Sequence, residues 1–122
     1  MKIIDLAFFA YAVSDMKKAR AFYENILGLQ PSPEYSGSSN PNWVEYDIGT
    51  ATLGIGCAPG MWEPSPKGAS AALEVEDFDE ALAMVREREV PVVMGPHDFP
   101  SCRMVVIADP DGNRITLHKR KK

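Results

Sequence analysis

AVSDMKKARAFYENILGL, residues 12–29, leaves a short apolar run at Ser14 and Asp15 and then carries apolar side chains at helical spacing as far as Gly28. Met16, Ala19, Phe22, Tyr23, Ile26 and Leu27 fall on one side of the helix this spacing predicts. Ser14 suits its N-cap and Gly28 its C′ position. The pattern returns 62 residues on, in LEVEDFDEALAMV, residues 73–85. Val13, Asp15, Ala19 and Ala21 recur there as Val75, Asp77, Ala81 and Ala83. Asp77 opens the second helix with Glu80 as a capping-box partner, Phe78, Ala81, Leu82 and Val85 form its buried stripe, and Pro91 lies past its end. Asp47 meets Asp109 at the same offset, and Leu53 and Ile55 meet Ile115 and Leu117. A strand-helix-strands unit is written twice. The expected fold is therefore α+β, a duplicated βαβββ with module one at 1–57, a linker at 58–68 and module two at 69–122.

The remaining stretches fill in the strands. Residues 4–13 read as a strand before the first helix, and NWVEYDIGTATLGIGC, residues 42–57, as a hairpin about Gly49-Thr50. Residues 69–76 lead into the second helix, followed by VPVVMG (90–95) and CRMVVIAD (102–109). DPDGNRITLH, residues 109–118, is a tight turn and then a strand ending on His118, with Ile115 and Leu117 on one face and Arg114, Thr116 and His118 on the other. Turn formers crowd two loops, at 30–42 and 58–69.

The whole chain has 122 residues, 45% hydrophobic and 25% charged, which suits one folded domain with a real core. A net charge of −4 gives a nucleic-acid partner no support. The run Lys119-Arg120-Lys121-Lys122 reads as a solvated tail. No stretch reaches the ~20 apolar residues of a membrane span. The apolar start MKIIDLAFFAYAVSD lacks a cleavage segment and reads as a first strand. Cys57 and Cys102 make no CxxC and no disulfide framework, so reduced thiols and a cytoplasmic setting are expected.

AVSDMKKARAFYENILGL, LEVEDFDEALAMV and DPDGNRITLH, in this order and with this duplication, resemble the vicinal oxygen chelate superfamily of glyoxalase I, bleomycin-resistance proteins and extradiol dioxygenases. The resemblance covers essentially the whole chain. It implies that each module curls into a half-barrel sheet with its helix outside, that the pair encloses a cavity, and that the protein is a homodimer. Enzymes of the group place metal ligands at four cavity-facing positions, which transfer by motif to Phe8, Gly54, Ser70 and Thr116. A phenyl ring, a glycine and two neutral hydroxyls are not the imidazole, carboxylate or thiolate donors a divalent metal needs. No metal site and no other cofactor is therefore expected at the usual positions.

Strand alternation gives its own view of that face. Phe9, Tyr11 and Val13 should pack on the helices, leaving Phe8, Ala10 and Ala12 toward the cavity; Ser70, Ala72 and Glu74 follow suit in module two. A two-residue turn at Gly49-Thr50 sets Glu45 opposite Gly54 and Trp43 opposite Gly56, whereas a three-residue loop substitutes Val44 and Tyr46. The expected ligand pocket is Phe8, Trp43, Glu45, Gly54, Ser70, Glu74, Thr116 and His118, with the glycines and alanines leaving space. Against it stands a barrel that Trp43 and Phe8 simply fill. His118 and Glu74 are the candidate catalytic pair; alternatively His118 hydrogen-bonds a neighbour at the rim.

Other candidates carry less. His97 reads as a loop residue, and a Cys102–His97 nucleophile lacks an orienting third group. Cys57 reads as packing, and Trp62 as a lid or an interface anchor. The acidic run EVEDFDE is a strand end plus a helix cap. The leading expectation is a protein that binds a small molecule without the usual metal. Its rival is a metal-dependent lyase, isomerase or dioxygenase with ligands drawn from His118 and Glu74 or Glu45, and a vestigial pocket is a third reading.

Overall fold

The computed structural model describes residues 1–33 and 42–122. Most of the loop expected at 30–42, residues 34–41, lies outside the described residues. The chain forms two compact units, Met1–Pro64 and Ser65–Lys122. Each holds a helix and a small, open, mixed sheet, and the fold is α+β. Among the described residues no helix is long and apolar enough to cross a membrane.

In the first unit β1 (Phe9–Ala12), β2 (Trp43–Ile48) and β3 (Ala51–Gly56) form a sheet of order β1-β3-β2. β1 runs parallel to β3 from Phe9↔Leu53 to Ala12↔Gly56. This strand is shorter than the expected 4–13, because β3 starts at Ala51 and offers little backbone ahead of Phe9. Ile3, Ile4, Leu6 and Phe8 stand exposed before it. β2 and β3 are joined by the two-residue turn, with Gly49 at φ 59° and Ile48 facing Ala51.

The first helix departs from expectation at its start. α1 (Met16–Arg20) is capped by Asp15, whose carboxylate accepts the Lys18 N–H, and not by Ser14. It widens into a π-helical segment, Ala21–Ile26. Phe22 and Tyr23 within this segment are both buried, as the apolar stripe predicts. Tyr23 lies between Tyr11 and Tyr46, with ring centroids 6.2 Å from each. These rings, with Val44, Leu53 and Ile55, form the core of the unit. The Tyr46 hydroxyl donates to Glu24 at 2.8 Å, and the same carboxylate oxygen accepts Arg20 Nε–H at 2.6 Å. Burial, and then this hydrogen bond, hold the Tyr46 phenol well above its ordinary pKa.

The second unit has β4 (Ser70–Glu74), α2 (Phe78–Glu87), β5 (Val92–Asp98), β6 (Cys102–Ala108) and β7 (Arg114–Arg120), with sheet order β4-β7-β6-β5. Phe78, Leu82 and Val85 of α2 are buried, as are Val105, Ile107, Ile115 and Leu117 of the sheet. The second unit repeats the first in its parallel strand pair and in the start of its helix. β4 pairs parallel with β7 from Ala71↔Ile115 to Glu74↔His118, each residue 62 beyond its counterpart in the β1–β3 pair. Asp77 accepts the Glu80 N–H as Asp15 accepts that of Lys18. Val75 N–H donates to His118 O as Val13 N–H donates to Gly56 O.

Two expectations are corrected here. β7 does not end on His118 but continues to Arg120, so the basic run is not a loose tail. Arg120 faces Cys102, Lys119 faces Arg103, and Lys121 pairs with Asp98, holding that carboxyl below its ordinary pKa. β5 is longer than VPVVMG and takes in His97, opposite Met104. Register shifts on either side of Met94 let the strand continue past Gly95 and Pro96.

Candidate functional site

In the first unit, β2 and β3 turn one face to the helix and the other to a set of aromatic rings. Trp43 and Glu45 stand on that second face, opposite Gly56 and Gly54. The indole of Trp43 lies over both glycines. A Cβ at Gly54 would come within 2.6 Å of its Cζ2, and one at Gly56 within 2.8 Å of its Cε3. The glycines therefore leave no vacant space, as their sizes had suggested; they seat an indole. Trp62 shares the seat, 2.5 Å from a Cβ at Gly56, and stacks on Trp43 at 6.2 Å with planes 19° apart. Phe8 meets Trp43 edge-on at 5.3 Å. The indole N–H donates to Glu45 Oε2 at 2.7 Å, which leaves π-faces as the ring's remaining means of contact. Phe8, Trp43, Glu45 and Gly54 are thus brought together, and Trp62 and Gly56 join them. Trp62 gave one signal in the sequence: a tryptophan in a proline-rich linker has few other reasons to be there.

In the second unit the same strand face carries polar groups. Ser70 Oγ and Thr116 Oγ1 hydrogen-bond each other at 3.1 Å. Two rungs on from Ala72↔Thr116, and so on the same face by strand alternation, comes Glu74↔His118. Glu74 Oε1 lies 2.6 Å from His118 Nδ1, and Glu74 Oε2 accepts the Arg120 backbone N–H at 2.7 Å. The Arg120 N–H first and His118 second hold the Glu74 carboxyl below its ordinary range. His118 thus has a bonded partner and a fixed orientation.

The turn that opens DPDGNRITLH is structural. Buried Asp109 accepts the Asp111 and Asn113 backbone N–H groups at Oδ1, each at 2.9 Å, and Asn113 Nδ2–H at Oδ2. Asn113 Oδ1 in turn accepts the Ser65 N–H, and Gly112 takes φ 83°. The carboxylate is consumed by its own loop. His97 lies obliquely against Phe99, with no hydrogen bond to Cys102, two residues before its partner Met104. Cys57 donates weakly to Ser14 O at 3.6 Å.

The family model for the Glyoxalase/Bleomycin resistance protein/Dioxygenase superfamily matches residues 5–117. The chain belongs to that superfamily. Among similar solved structures, a glyoxalase/dioxygenase from Nostoc punctiforme superposes with a TM-score of 0.80 at 21% identity, covering 97% of this chain and 92% of its own. A superfamily member from Sphaerobacter thermophilus gives 0.74 at 26%, over 97% and 98%. An antibiotic binding protein from a Streptomyces species gives 0.74 at 28%, over 99% of both chains.

The four positions at which superfamily enzymes hold metal do not fit a divalent ion in this member. Phe8 packs on Trp43, Gly54 lies beneath an indole, and the Ser70 and Thr116 hydroxyls are bonded to each other. None supplies an imidazole, carboxylate or thiolate donor. Among the described residues no group of three or more His, Cys, Asp or Glu could hold a metal ion.

Proposed function

We propose that this superfamily member binds a small, flat, largely apolar molecule, and does so without a divalent metal. The observation that carries the reading is the Trp43 indole laid on Gly54 and Gly56, with Trp62 parallel to it and Phe8 against its edge. Offset-stacked and edge-on rings add about 0.5–1.5 kcal/mol per pair beyond the area they bury. A ring system of the right width continues this stack, and the saturated indole N–H asks no polar group of it. The likeness to an antibiotic binding protein supports a binding role over a chemical one.

The test is a fluorescence titration of the full chain with planar aromatic compounds, alongside elemental mass spectrometry of untagged protein grown with iron, nickel, manganese and zinc. Saturable quenching that Trp43→Ala and Trp62→Ala each weaken by ~10-fold, with no stoichiometric ion, is the expected result. No quenching by any compound, together with one tightly held ion per chain, would overturn the reading in favour of a metal-dependent lyase, isomerase or dioxygenase.

A further inference from the structure

The aromatic set of the first unit has a carboxylate built into it. Glu45 stands with Trp43 on the sheet face turned away from the helix, and its Oε2 accepts the indole N–H at 2.7 Å. Among the described residues its other oxygen, Oε1, meets no donor, and no lysine or arginine pairs with it. The basic side chains of the unit stand elsewhere. Arg20 pairs with Glu24 on the Tyr46 side of the sheet, which alternation sets opposite to Glu45. Lys17 and Lys18 share its helix, and Lys2 is exposed ahead of β1. Glu45, Trp43 and Trp62 are half-buried and Phe8 is exposed, so a solute can reach both the charge and the rings.

These groups favour positive charge. An indole face is the strongest aromatic partner of a cation, and an N–H donated to an anion pushes electron density into the ring. A neutral ring laid on the stack beside Glu45 takes water from Oε1 and returns nothing for it. An anionic ring meets like charge. A small, strongly hydrated metal ion finds a single free oxygen where it needs several. We infer that the molecule bound on this stack is a flat organic cation, an arene carrying an alkylated ring nitrogen or an ammonium group, with Glu45 beside its charge and the indoles of Trp43 and Trp62 against its ring. The inference rests on the binding role proposed above and adds the charge of the ligand.

The experiment compares 1-methylquinolinium with 4-methylquinoline, flat bicycles of matching size, by NMR titration of the full chain in mildly alkaline buffer, where the second carries no charge. The expected result is tighter binding of the cation by ~10-fold. Added salt should narrow that ratio. Glu45→Gln, whose amide oxygen can still accept the indole N–H, should bring it close to one, and Trp62→Ala should weaken both probes. Equal binding of the two probes by the natural chain, or a ratio that Glu45→Gln leaves intact, would overturn the cationic ligand while leaving the binding role standing. Binding of neither at millimolar concentration would overturn both. A ratio that salt leaves unchanged in the natural chain overturns the inference even where Glu45→Gln does not fold.

Discussion

Gly54 lies directly beneath the indole of Trp43, so close that a single methyl group there would come 2.6 Å from Cζ2. In a strand, alanine ordinarily gains about 0.5–1 kcal/mol over glycine through backbone entropy. Here Gly54→Ala must push a half-buried ring off its seat, and overpacking of this kind costs about 1–3 kcal/mol. The substitution is expected to lower stability in urea, and to alter the near-ultraviolet tryptophan circular dichroism. A neutral or stabilising effect would mean that Trp43 is not held against the strand.

Tyr46→Phe removes the hydroxyl that Glu24 shares with Arg20. A hydrogen bond to a charged group is worth about 1.5–3 kcal/mol, and partial exposure of Glu24 lets water replace some of it. A loss near about 1.5 kcal/mol is expected from equilibrium denaturation. In the unaltered chain, absorbance titration should show Tyr46 resisting ionisation beyond the ordinary tyrosine range until the fold opens, because burial raises its phenol.

Asp109→Ala strips three acceptor contacts from a buried loop and leaves the Asn113 N–H and amide without their partner. Unsatisfied buried donors cost about 1–3 kcal/mol each, so a loss of about 3 kcal/mol is expected. Thermal unfolding measures it. Small-molecule affinity measured well below the melting temperature should barely change, since the turn supports β7 and touches no proposed ligand contact.

Glu74 gives the pH dependence. Its folded pKa lies below the ordinary value of 4.5, so its contribution to stability is complete above that value. It fades as pH falls through the lower folded value, when the unfolded chain binds the proton first. The melting temperature of the natural chain should therefore fall more steeply below about pH 4.5 than that of Glu74→Gln. Parallel curves would show that the Arg120 N–H and His118 do not hold the carboxylate in solution.

Much of this was legible before any coordinates. The two-residue turn at Gly49-Thr50 sets the β2–β3 register, which in turn decides that Trp43 and Glu45 face Gly56 and Gly54. The 62-residue offset, visible in a few identities, carries every rung of the β1–β3 pair onto one of the β4–β7 pair. What escaped was decided by packing and by long-range partners. Ser14 and Asp15 are both good caps, and only the repeat of Asp15 as Asp77 favoured the second. Small residues on a strand face read as space, yet whether space is left depends on where an indole from the opposite strand and another from the linker come to rest. His118 looked terminal because the basic residues after it resemble a tail; pairing with β6 and Asp98 extends the strand through them.

The edge strand β5 has a consequence for how this chain survives at high concentration. Val92, Val93 and Met94 are exposed along it and Phe99 just beyond it, which on an open sheet edge is an invitation to stack chain upon chain. Its ladder, however, breaks register twice, and Pro96 brings no backbone N–H. An incoming strand cannot stay in step with such an edge for more than a few residues. The protein presents a sticky surface but withholds the template that fibril growth requires, and straightening the strand by Pro96→Val would hand that template over.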